Sequence, residues 1–365
     1  MTSLTPKPGI LDIRPYKPGA SEAPGAAKVY KLSSNESALG ASPKAIEAYK
    51  SAASSLHLYP DGAARSLREK IGEAHGLDPA RIVCGAGSDE LLQLLCRAYA
   101  GEGDNIVQTE HGFLVYAIAA KACGAEPLFA KEKHLTADVD EIIASVNGRT
   151  RIVFLANPNN PTGTYISREK LRTLRRNLCD DILLVIDSAY AEYMEMPDYD
   201  AGAALVDDHD NVVMTRTFSK IYGLAALRLG WAYCPDAVAD VLNRIRGPFN
   251  VAAPALAAGA AALEDQEFVV LNRAHNWTER AHVGQELDRL GISFQPGFGN
   301  FLLVNFASTP GENAASVQAY LKANGVLVRE MGPYGLDDWL RVTVGTEEAN
   351  RRFIALLEEK FNHGG

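Results

Sequence analysis

Seven short apolar runs alternate with longer segments of helical period between residues 80 and 235 of the chain. In order, they are RIVC, NIVQT, EPLFA, RIVFLA, ILLVID, NVVMT and LGWAYC. Strands that alternate with helices form parallel sheets, and the connecting helices cover both faces of such a sheet. The pattern therefore predicts an α/β fold, with a mostly parallel seven-stranded sheet and helices on both faces.

Three segments have recognisable helical signals. SDELLQLLCRAYA, at 88–100, is predicted to begin with Ser88 as its N-cap, and SREKLRTLRRNL, at 167–178, with Ser167. The alanine-rich stretch at 252–263 is also predicted to be a helix, since it shows no feature of a linker.

The pattern of apolar and polar residues changes after residue 265. GISFQPGFGNFLLVNF, GVLVRE and WLRVTV alternate with two further helical segments, which is typical of a small α+β domain. We therefore predict a proline-rich arm over residues 1–45 that contributes to the small domain and to a dimer contact. A large cofactor-binding domain would cover 46–265, and the small C-terminal α+β domain 266–365.

Composition excludes several classes of function. The formal net charge of -9 over 365 residues argues against a general nucleic-acid or anionic membrane surface. Five scattered cysteines without a C-x-x-C pair indicate neither a disulfide framework nor a zinc site. Prolines interrupt the N-terminal segment where a signal peptide needs a continuous apolar run. We expect a cytoplasmic protein without metal, nucleic-acid or membrane partners.

Polar loops follow four of the predicted strands. They are GAGSDE at 85–90, ANPNNPTG at 156–163, DSAY at 187–190 and TRTFSK at 215–220. Ligands of open α/β sheets bind beyond the carboxyl ends of the strands, so these loops are where a functional site is expected.

The first two loops do not by themselves require a function. GAGSDE can turn backbone N–H groups towards an anion at a helix start, but it also serves as a tight strand-to-helix turn. It is not a dinucleotide fingerprint, because Glu90 stands where the third glycine is needed. ANPNNPTG is explained as a turn, although Asn160 would bring a side-chain amide to the sheet edge.

Asp187 ends the apolar run ILLVID, where an ionised carboxylate is costly without a positive partner. That partner is either an arginine or helix start nearby, or the protonated ring nitrogen of a cofactor. Tyr190 lies three residues on, either as a core tyrosine with a satisfied hydroxyl or as a second contact to the same ring.

Lys220 follows the next strand, on the same sheet edge as Asp187. A lone lysine usually lies at a surface, but Thr217 and Ser219 add hydroxyls and Arg228 a fork suited to phosphate. A ligand with a phosphate, a basic ring and an aldehyde would satisfy all these groups. Pyridoxal 5'-phosphate has this combination.

At this point the sequence resembles a known family. KLSSNES, YPDGAARSLR, GAGSDELLQLL, ANPNNPTGT, DSAYAEY, RTFSKIYGLAALRLGW, GPFNV and LRVTVGT occur in this order between residues 31 and 346. Together they resemble the histidinol-phosphate aminotransferases, members of the fold-type-I pyridoxal-phosphate enzymes. The resemblance extends over residues 14 to 346 and implies transfer of an amino group from histidinol phosphate to 2-oxoglutarate, in histidine biosynthesis.

The resemblance also assigns roles to single residues. Lys220 matches the Schiff-base lysine, Asp187 the partner of the pyridinium nitrogen, and Tyr190 with Asn160 the contacts to the ring 3-hydroxyl. Phe113 matches the ring stacked on the pyridine, and Tyr59 a tyrosine that reaches the neighbouring subunit's cofactor, so a homodimer with shared sites follows. The phosphate cup matches Ser88, Asp89, Thr217, Ser219 and Arg228, and the substrate site matches Arg341 with Arg329, Asn35 and Tyr16.

Two positions depart from the family pattern. Ser188 stands in DSAY where DEAY is common, and Ala226 stands where AGLR is common. Three alternatives stay open on the sequence: an aromatic amino acid aminotransferase acting on phenylalanine or tyrosine, an amino-acid phosphate decarboxylase, and a non-catalytic domain of a transcription regulator. The last normally has a DNA-binding segment, and KLSSNES already begins at residue 31.

Overall fold

The computed structural model describes residues 4–308 and 313–362. Its strands are β1 (Tyr30–Lys31), β2 (Ile82–Gly85), β3 (Asn105–Thr109), β4 (Glu126–Ala130), β5 (Glu132–Lys133), β6 (Thr136–Ala137), β7 (Thr150–Ala156), β8 (Leu183–Asp187), β9 (Val212–Thr217), β10 (Gly230–Tyr233), β11 (Phe294–Gln295), β12 (Phe301–Asn305), β13 (Val326–Leu327), β14 (Arg329–Glu330) and β15 (Trp339–Thr343). No helix in these ranges is both long and apolar enough to cross a membrane.

The helices connect these strands. They are α1 (Pro43–Ala52), α2 (Arg65–His75), α3 (Ser88–Tyr99), α4 (Leu114–Cys123), α5 (Val139–Ser145), α6 (Arg168–Arg176), α7 (Ala203–Asp208), α8 (Asp236–Ile245), α9 (Ala253–Glu264), α10 (Gln266–Arg289), α11 (Ala314–Ala323) and α12 (Glu347–Asn362). Short 3-10 turns lie at Ile10–Asp12, Ala53–Ser55, Pro79–Arg81, Ala191–Tyr193, Ala225–Leu227 and Gly332–Tyr334.

The seven predicted strands form one sheet, in the order β2-β10-β9-β8-β7-β3-β4. β10 runs antiparallel to both of its neighbours, and the other pairs are parallel. The mostly parallel seven-stranded sheet is thereby confirmed. β8 is the middle strand, so its carboxyl end lies at the centre of the sheet edge.

Both faces of the sheet are buried, as the continuous apolar runs predict. Along β8, Leu184 and Ile186 pack into one core with α1, α2, α5, α6 and α9, whereas Leu183 and Val185 pack into a second core with α3, α4 and α8. Successive side chains of a strand point to opposite faces, so a strand between two helix layers is apolar at every position.

A second sheet, in the order β11-β12-β15-β14, packs against α10, α11 and α12 around a core of its own. β1 pairs in parallel with β13 beside it, and Leu32 lies in the same core. The N-terminal segment thus joins the C-terminal part of the chain. The domain limits at residues 45 and 265 stay a prediction.

Of the two predicted N-cap residues, one is confirmed and the other is wrong. Ser167 caps α6, its Oγ accepting from the backbone N of Lys170 at 3.4 Å. Ser88 does not cap α3; it is the first helical residue, and Gly87 is the N-cap at φ 84°. The turn out of β2 needs a positive φ, which a serine adopts only with strain, so glycine occupies the cap position.

One buried ion pair lies beneath the sheet edge. Arg216 on β9 donates from Nη2 to Glu192 Oε1 at 2.8 Å, and their side chains are 9% and 7% exposed. The guanidinium also lies over the Trp231 ring, 5.6 Å from its centroid. Loss of one partner would leave the other charge buried without compensation.

Replacing Glu192 by Gln is therefore expected to lower the free energy of unfolding by about 3 kcal/mol, because Arg216 loses its counter-charge. Denaturant unfolding of the purified protein measures the change. The matched control is Asp240→Asn, which breaks the exposed Asp240–Arg244 pair on α8, where the side chains are 61% and 72% exposed. The control should unfold like the wild type; equal losses in both variants would contradict the prediction.

Candidate active site

A cavity of about 280 Å³ opens at the carboxyl ends of β7, β8 and β9. Its walls come from the loops after these strands, from the start of α3, from the N-terminal segment and from β14 and β15. Fourteen of the fifteen residues singled out from the sequence line it: Tyr16, Asn35, Ser88, Asp89, Phe113, Asn160, Asp187, Tyr190, Thr217, Ser219, Lys220, Arg228, Arg329 and Arg341.

Asp187 is the last residue of β8 and is 5% exposed. Its Oδ2 accepts from the Tyr116 hydroxyl at 2.7 Å and its Oδ1 from Thr215 Oγ1 at 3.2 Å. Burial raises the pKa of Asp187 to about 6, although both hydrogen bonds favour the ionised form. No lysine or arginine in the described ranges forms an ion pair with this carboxylate, so a cationic group of a ligand could pair with it.

Lys220 lies in the loop after β9, with Nζ 5.7 Å from the centroid of the Tyr190 ring. Burial, and then the positive charge of Arg341, lower the pKa of Lys220 to about 8. A lysine with this pKa carries a sizeable neutral fraction near neutral pH. The neutral amine is the form that attacks an aldehyde or accepts a proton.

Tyr190 and Asn160 are both held by hydrogen bonds from other residues of the cavity lining. The Tyr190 hydroxyl accepts from Asn35 Nδ2 at 2.9 Å, and Asn160 Oδ1 accepts from Arg341 Nη1 at 2.5 Å. Asn35 is itself fixed by Thr343 on β15, whose Oγ1 donates to Asn35 Oδ1 at 3.1 Å. These contacts join the edge of the large sheet to the second sheet.

Polar groups that would suit an anion meet where α3 begins. Arg228 donates from Nη1 to Ser219 Oγ at 3.3 Å, and its Nη2 pairs with Asp89 Oδ2 at 3.2 Å. The backbone N of Ser219 in turn donates to Thr217 Oγ1 at 3.1 Å. A Cβ added at Gly87 would lie 2.6 Å from Arg228 Nη2, so only glycine lets the guanidinium approach the helix start.

Arg329 and Arg341 face each other across β14 and β15, where they are register partners. They are 8% and 6% exposed, and in the described residues neither pairs with a carboxylate. Arg329 donates to the carbonyl of Lys17 at 2.6 Å and lies over the Tyr16 ring, 5.5 Å from its centroid. Like charges on opposed strand positions repel, so an anion between them would stabilise the pair.

Tyr59 is the predicted site residue that the structure leaves outside the cavity. Its side chain is 82% exposed, and its ring stacks on Phe249 with the centroids 4.5 Å apart. It is not among the described residues that line the cavity.

The sequence argument missed the roles of three residues. Tyr116 and Thr215 donate to Asp187, and the only sequence signal was that Tyr116 stands three positions after Phe113 on one helix face. Glu90, noted only as a missing glycine, accepts from the backbone N of Ala86 at 2.6 Å and from Asn250 Nδ2 at 2.8 Å. It therefore fixes the turn that leads into α3.

The residues of the cavity fit pyridoxal 5'-phosphate. Asp187 is a buried carboxylate without a cationic partner among the described residues, as pairing with a pyridinium nitrogen requires. Lys220 carries a lowered pKa, as a lysine that bonds to an aldehyde requires. The Arg228 guanidinium and the Ser219 hydroxyl lie beside the start of α3, an arrangement of donors that suits a phosphate.

Comparisons with known proteins agree with this fit. Residues 27–357 match the family model "Aminotransferase class I and II". Histidinol-phosphate aminotransferase of Paramagnetospirillum magneticum is 55% identical over 359 residues, covering 98% of this chain and 99% of the relative. The enzyme of the same name from Maricaulis maris is 54% identical and covers 97% and 98%.

Solved structures give the same result. Histidinol-phosphate aminotransferase from Sinorhizobium meliloti, in complex with pyridoxal-5'-phosphate, superposes with a TM-score of 0.86 at 26% identity, covering 93% of this chain and 92% of that one. An aspartate aminotransferase of Thermus thermophilus, at 19% identity and a TM-score of 0.80, shares the fold over 91% and 96% of the two chains. The chain therefore has the fold-type-I architecture and belongs to the class I and II aminotransferases, enzymes that work with pyridoxal phosphate.

Proposed function

We propose that the protein transfers the amino group of histidinol phosphate to 2-oxoglutarate, giving imidazole-acetol phosphate and glutamate in histidine biosynthesis. The observation that carries this proposal is the pair of buried arginines, Arg329 and Arg341, which face the cavity and have no carboxylate partner in the part of the chain that the structure describes. Both proposed substrates are anionic, one through its phosphate and the other through its carboxylates. The names of the relatives support the same donor.

Pyridoxal phosphate supplies, when bound, an aldehyde that bonds to amines and a ring that accepts the electron pair left by a departing Cα proton. Asp187 holds the proton on the ring nitrogen, because its buried charge favours a cation beside it. Tyr190 and Asn160 hold the ring 3-hydroxyl, and Phe113 covers one face of the ring. Ser88, Asp89, Thr217, Ser219 and Arg228 hold the phosphate.

Lys220 has two tasks in this proposal. Its Nζ would hold the cofactor through the aldehyde until the substrate amine takes its place. The freed amine of Lys220 would then take the proton from the substrate Cα and deliver a proton to the C4' carbon of the cofactor. A pKa of about 8 places the amine close to the pH at which both steps are efficient.

The lysine assignment predicts a pH-dependent covalent bond. When cofactor-free protein is mixed with pyridoxal phosphate and reduced with borohydride at short times, peptide mapping should find the adduct on Lys220. Its rate of formation should rise with pH through about 8, because the neutral amine is the nucleophile. Arg341→Gln should move this midpoint upwards, since the Arg341 charge contributes to lowering the pKa of Lys220. An adduct on another lysine would contradict the assignment.

We propose further that the active unit is a homodimer with shared active sites. Tyr59 supports this, since its ring is held outwards by Phe249 and does not reach the cavity of its own chain. A second copy would present its cavity to this phenol, which would add a donor to the cofactor phosphate. The cytoplasm is the proposed location, supported by the five free cysteines.

Mixing Tyr59→Ala with Lys220→Ala protein should restore activity. In a hybrid dimer one site combines the intact Lys220 of one subunit with the intact Tyr59 of the other. With random exchange, about one quarter of the sites are intact. Subunit exchange is verified with differently tagged copies. If exchange is complete and activity does not rise, Tyr59 acts in its own subunit.

The choice of amino donor is tested by kinetics. Values of kcat/KM for histidinol phosphate, phenylalanine and tyrosine, each with 2-oxoglutarate, should be highest for histidinol phosphate. Arg341→Ala should lower the value for histidinol phosphate by about a hundredfold, because a buried anion loses its guanidinium partner. Arg351→Ala on α12, whose side chain is 69% exposed, is the matched control and should change little. A preference for either aromatic amino acid would favour the aromatic aminotransferase instead. Arg341 alone does not exclude that activity, since its guanidinium binds carboxylates as well as phosphates.

The two departures from the family pattern lie outside the cavity wall. Ser188 is buried and donates from Oγ to the carbonyl of Ala201 at 2.8 Å. Ala226 lies on the exposed side of a 3-10 turn. Neither residue is part of the cavity lining, so neither is expected to change the choice of substrate directly.

A further inference from the structure

Tyr116 is fully buried inside the fold, although it carries a polar hydroxyl. The residue is 1% exposed and lies on α4, one turn after Phe113. Its ring stacks on Phe154 of β7, with centroids 4.6 Å apart and planes 7° apart, and meets the Phe113 ring edge-on at 5.8 Å. These two contacts fix the direction in which the hydroxyl points.

The hydroxyl points at Asp187. It donates to Oδ2 at 2.7 Å, a short bond of the kind formed with an ionised acceptor. The Asp187 side chain receives a second bond, from Thr215 on the neighbouring strand β9, at 3.2 Å. The two donors come from opposite sides of β8, one from a covering helix and one from the sheet itself.

The surroundings of Asp187 favour its neutral form in two ways. Burial raises its pKa, and the nearby carboxylate of Asp89 raises it further. The groups that act in the other direction are the hydroxyls of Tyr116 and Thr215 and the backbone N of Ala189. Tyr116 is the largest of these three influences.

We propose that Tyr116 is a positioning residue that holds the Asp187 carboxylate ionised and correctly oriented to pair with the protonated ring nitrogen of pyridoxal phosphate. The inference rests on the proposed role of Asp187 as the partner of that nitrogen. The first turn of α4 then has two tasks, since Phe113 covers the ring face while Tyr116 fixes the carboxylate at the ring edge.

Loss of the hydroxyl has a defined consequence. Asp187 would bind a proton more readily, so the ring nitrogen would lose part of its counter-charge and be protonated less often. With less positive charge on the ring, the nitrogen that joins Lys220 to the cofactor would hold its own proton more strongly. Its titration, which is visible in the absorbance of the bound cofactor, would shift to higher pH.

The test compares Tyr116→Phe with Tyr233→Phe. Phenylalanine keeps the stacking on Phe154 and removes only the hydroxyl. Tyr233 is the matched control, because it is 2% exposed and donates to a carboxylate, that of Asp207, at the same 2.7 Å, but outside the cavity. The measurements are the dissociation constant of pyridoxal phosphate from the cofactor-free protein, the pH midpoint of the absorbance titration, and the melting temperature.

Tyr116→Phe is expected to raise the dissociation constant about tenfold, because a hydrogen bond to a charged group contributes at least this factor. The absorbance midpoint should move to higher pH. The factor by which kcat falls should be larger than the factor by which the KM for the amino donor changes. Thr215→Val should shift the midpoint in the same direction but less, since its bond is longer. Tyr233→Phe should leave the dissociation constant and the midpoint at the wild-type values.

An Asp187→Ala variant distinguishes a failure of the proposed role of Tyr116 from a failure of the proposed role of Asp187. If it changes the dissociation constant and the midpoint while Tyr116→Phe changes neither, the role of Tyr116 is overturned and that of Asp187 is kept. If Asp187→Ala also leaves both unchanged, the proposed cofactor contact fails, and the inference on Tyr116 fails with it. A Tyr116→Phe protein that loses melting temperature without a shift of the midpoint likewise shows a purely structural role and overturns the proposal.

Discussion

A buried carboxylate at the end of the central strand is the constraint on which the site depends. Asp187 is 5% exposed, lies between parallel neighbours and has no cationic side chain beside it. Such a charge is tolerated only with hydrogen bonds or a ligand to offset its desolvation. The fold supplies donors from β9 and from α4, and it leaves the remaining side of the carboxylate open to the cavity.

The other charges of the cavity follow from the same arrangement. The chain carries a net charge of -9, yet the cavity lining has four cationic side chains, those of Lys220, Arg228, Arg329 and Arg341, against the three carboxylates of Glu36, Asp89 and Asp187. Only Arg228 has a carboxylate partner among them in the described residues, the side chain of Asp89. A local concentration of positive charge attracts anionic ligands and speeds their capture. The cavity is therefore complementary to a cofactor and substrates that carry phosphates and carboxylates.

The sequence predicted the large sheet because most of its strands are buried on two faces, so their apolar runs are continuous and easily recognised. It also predicted most of the cavity wall, because polar residues that follow buried strands collect at one sheet edge. Tyr116 was not predicted as a site residue, since a tyrosine in an apolar helix has the pattern of an ordinary core residue. The Ser88 cap was wrong for a local reason, because the preferred capping residue stands next to a glycine whose positive φ the turn requires.

The loop at residues 246–250 joins the outward-facing Tyr59 to the start of α3. Phe249 holds the Tyr59 ring in place by stacking, while the adjacent Asn250 donates to Glu90 in the first turn of α3. Arg246 adds a bond to the carbonyl of Gly62, three residues after Tyr59. A short loop without regular structure thus fixes both an exposed ring and an anion-binding helix start. Neither contact has a periodic signature in the sequence, so only the folded chain reveals that one loop makes both of them.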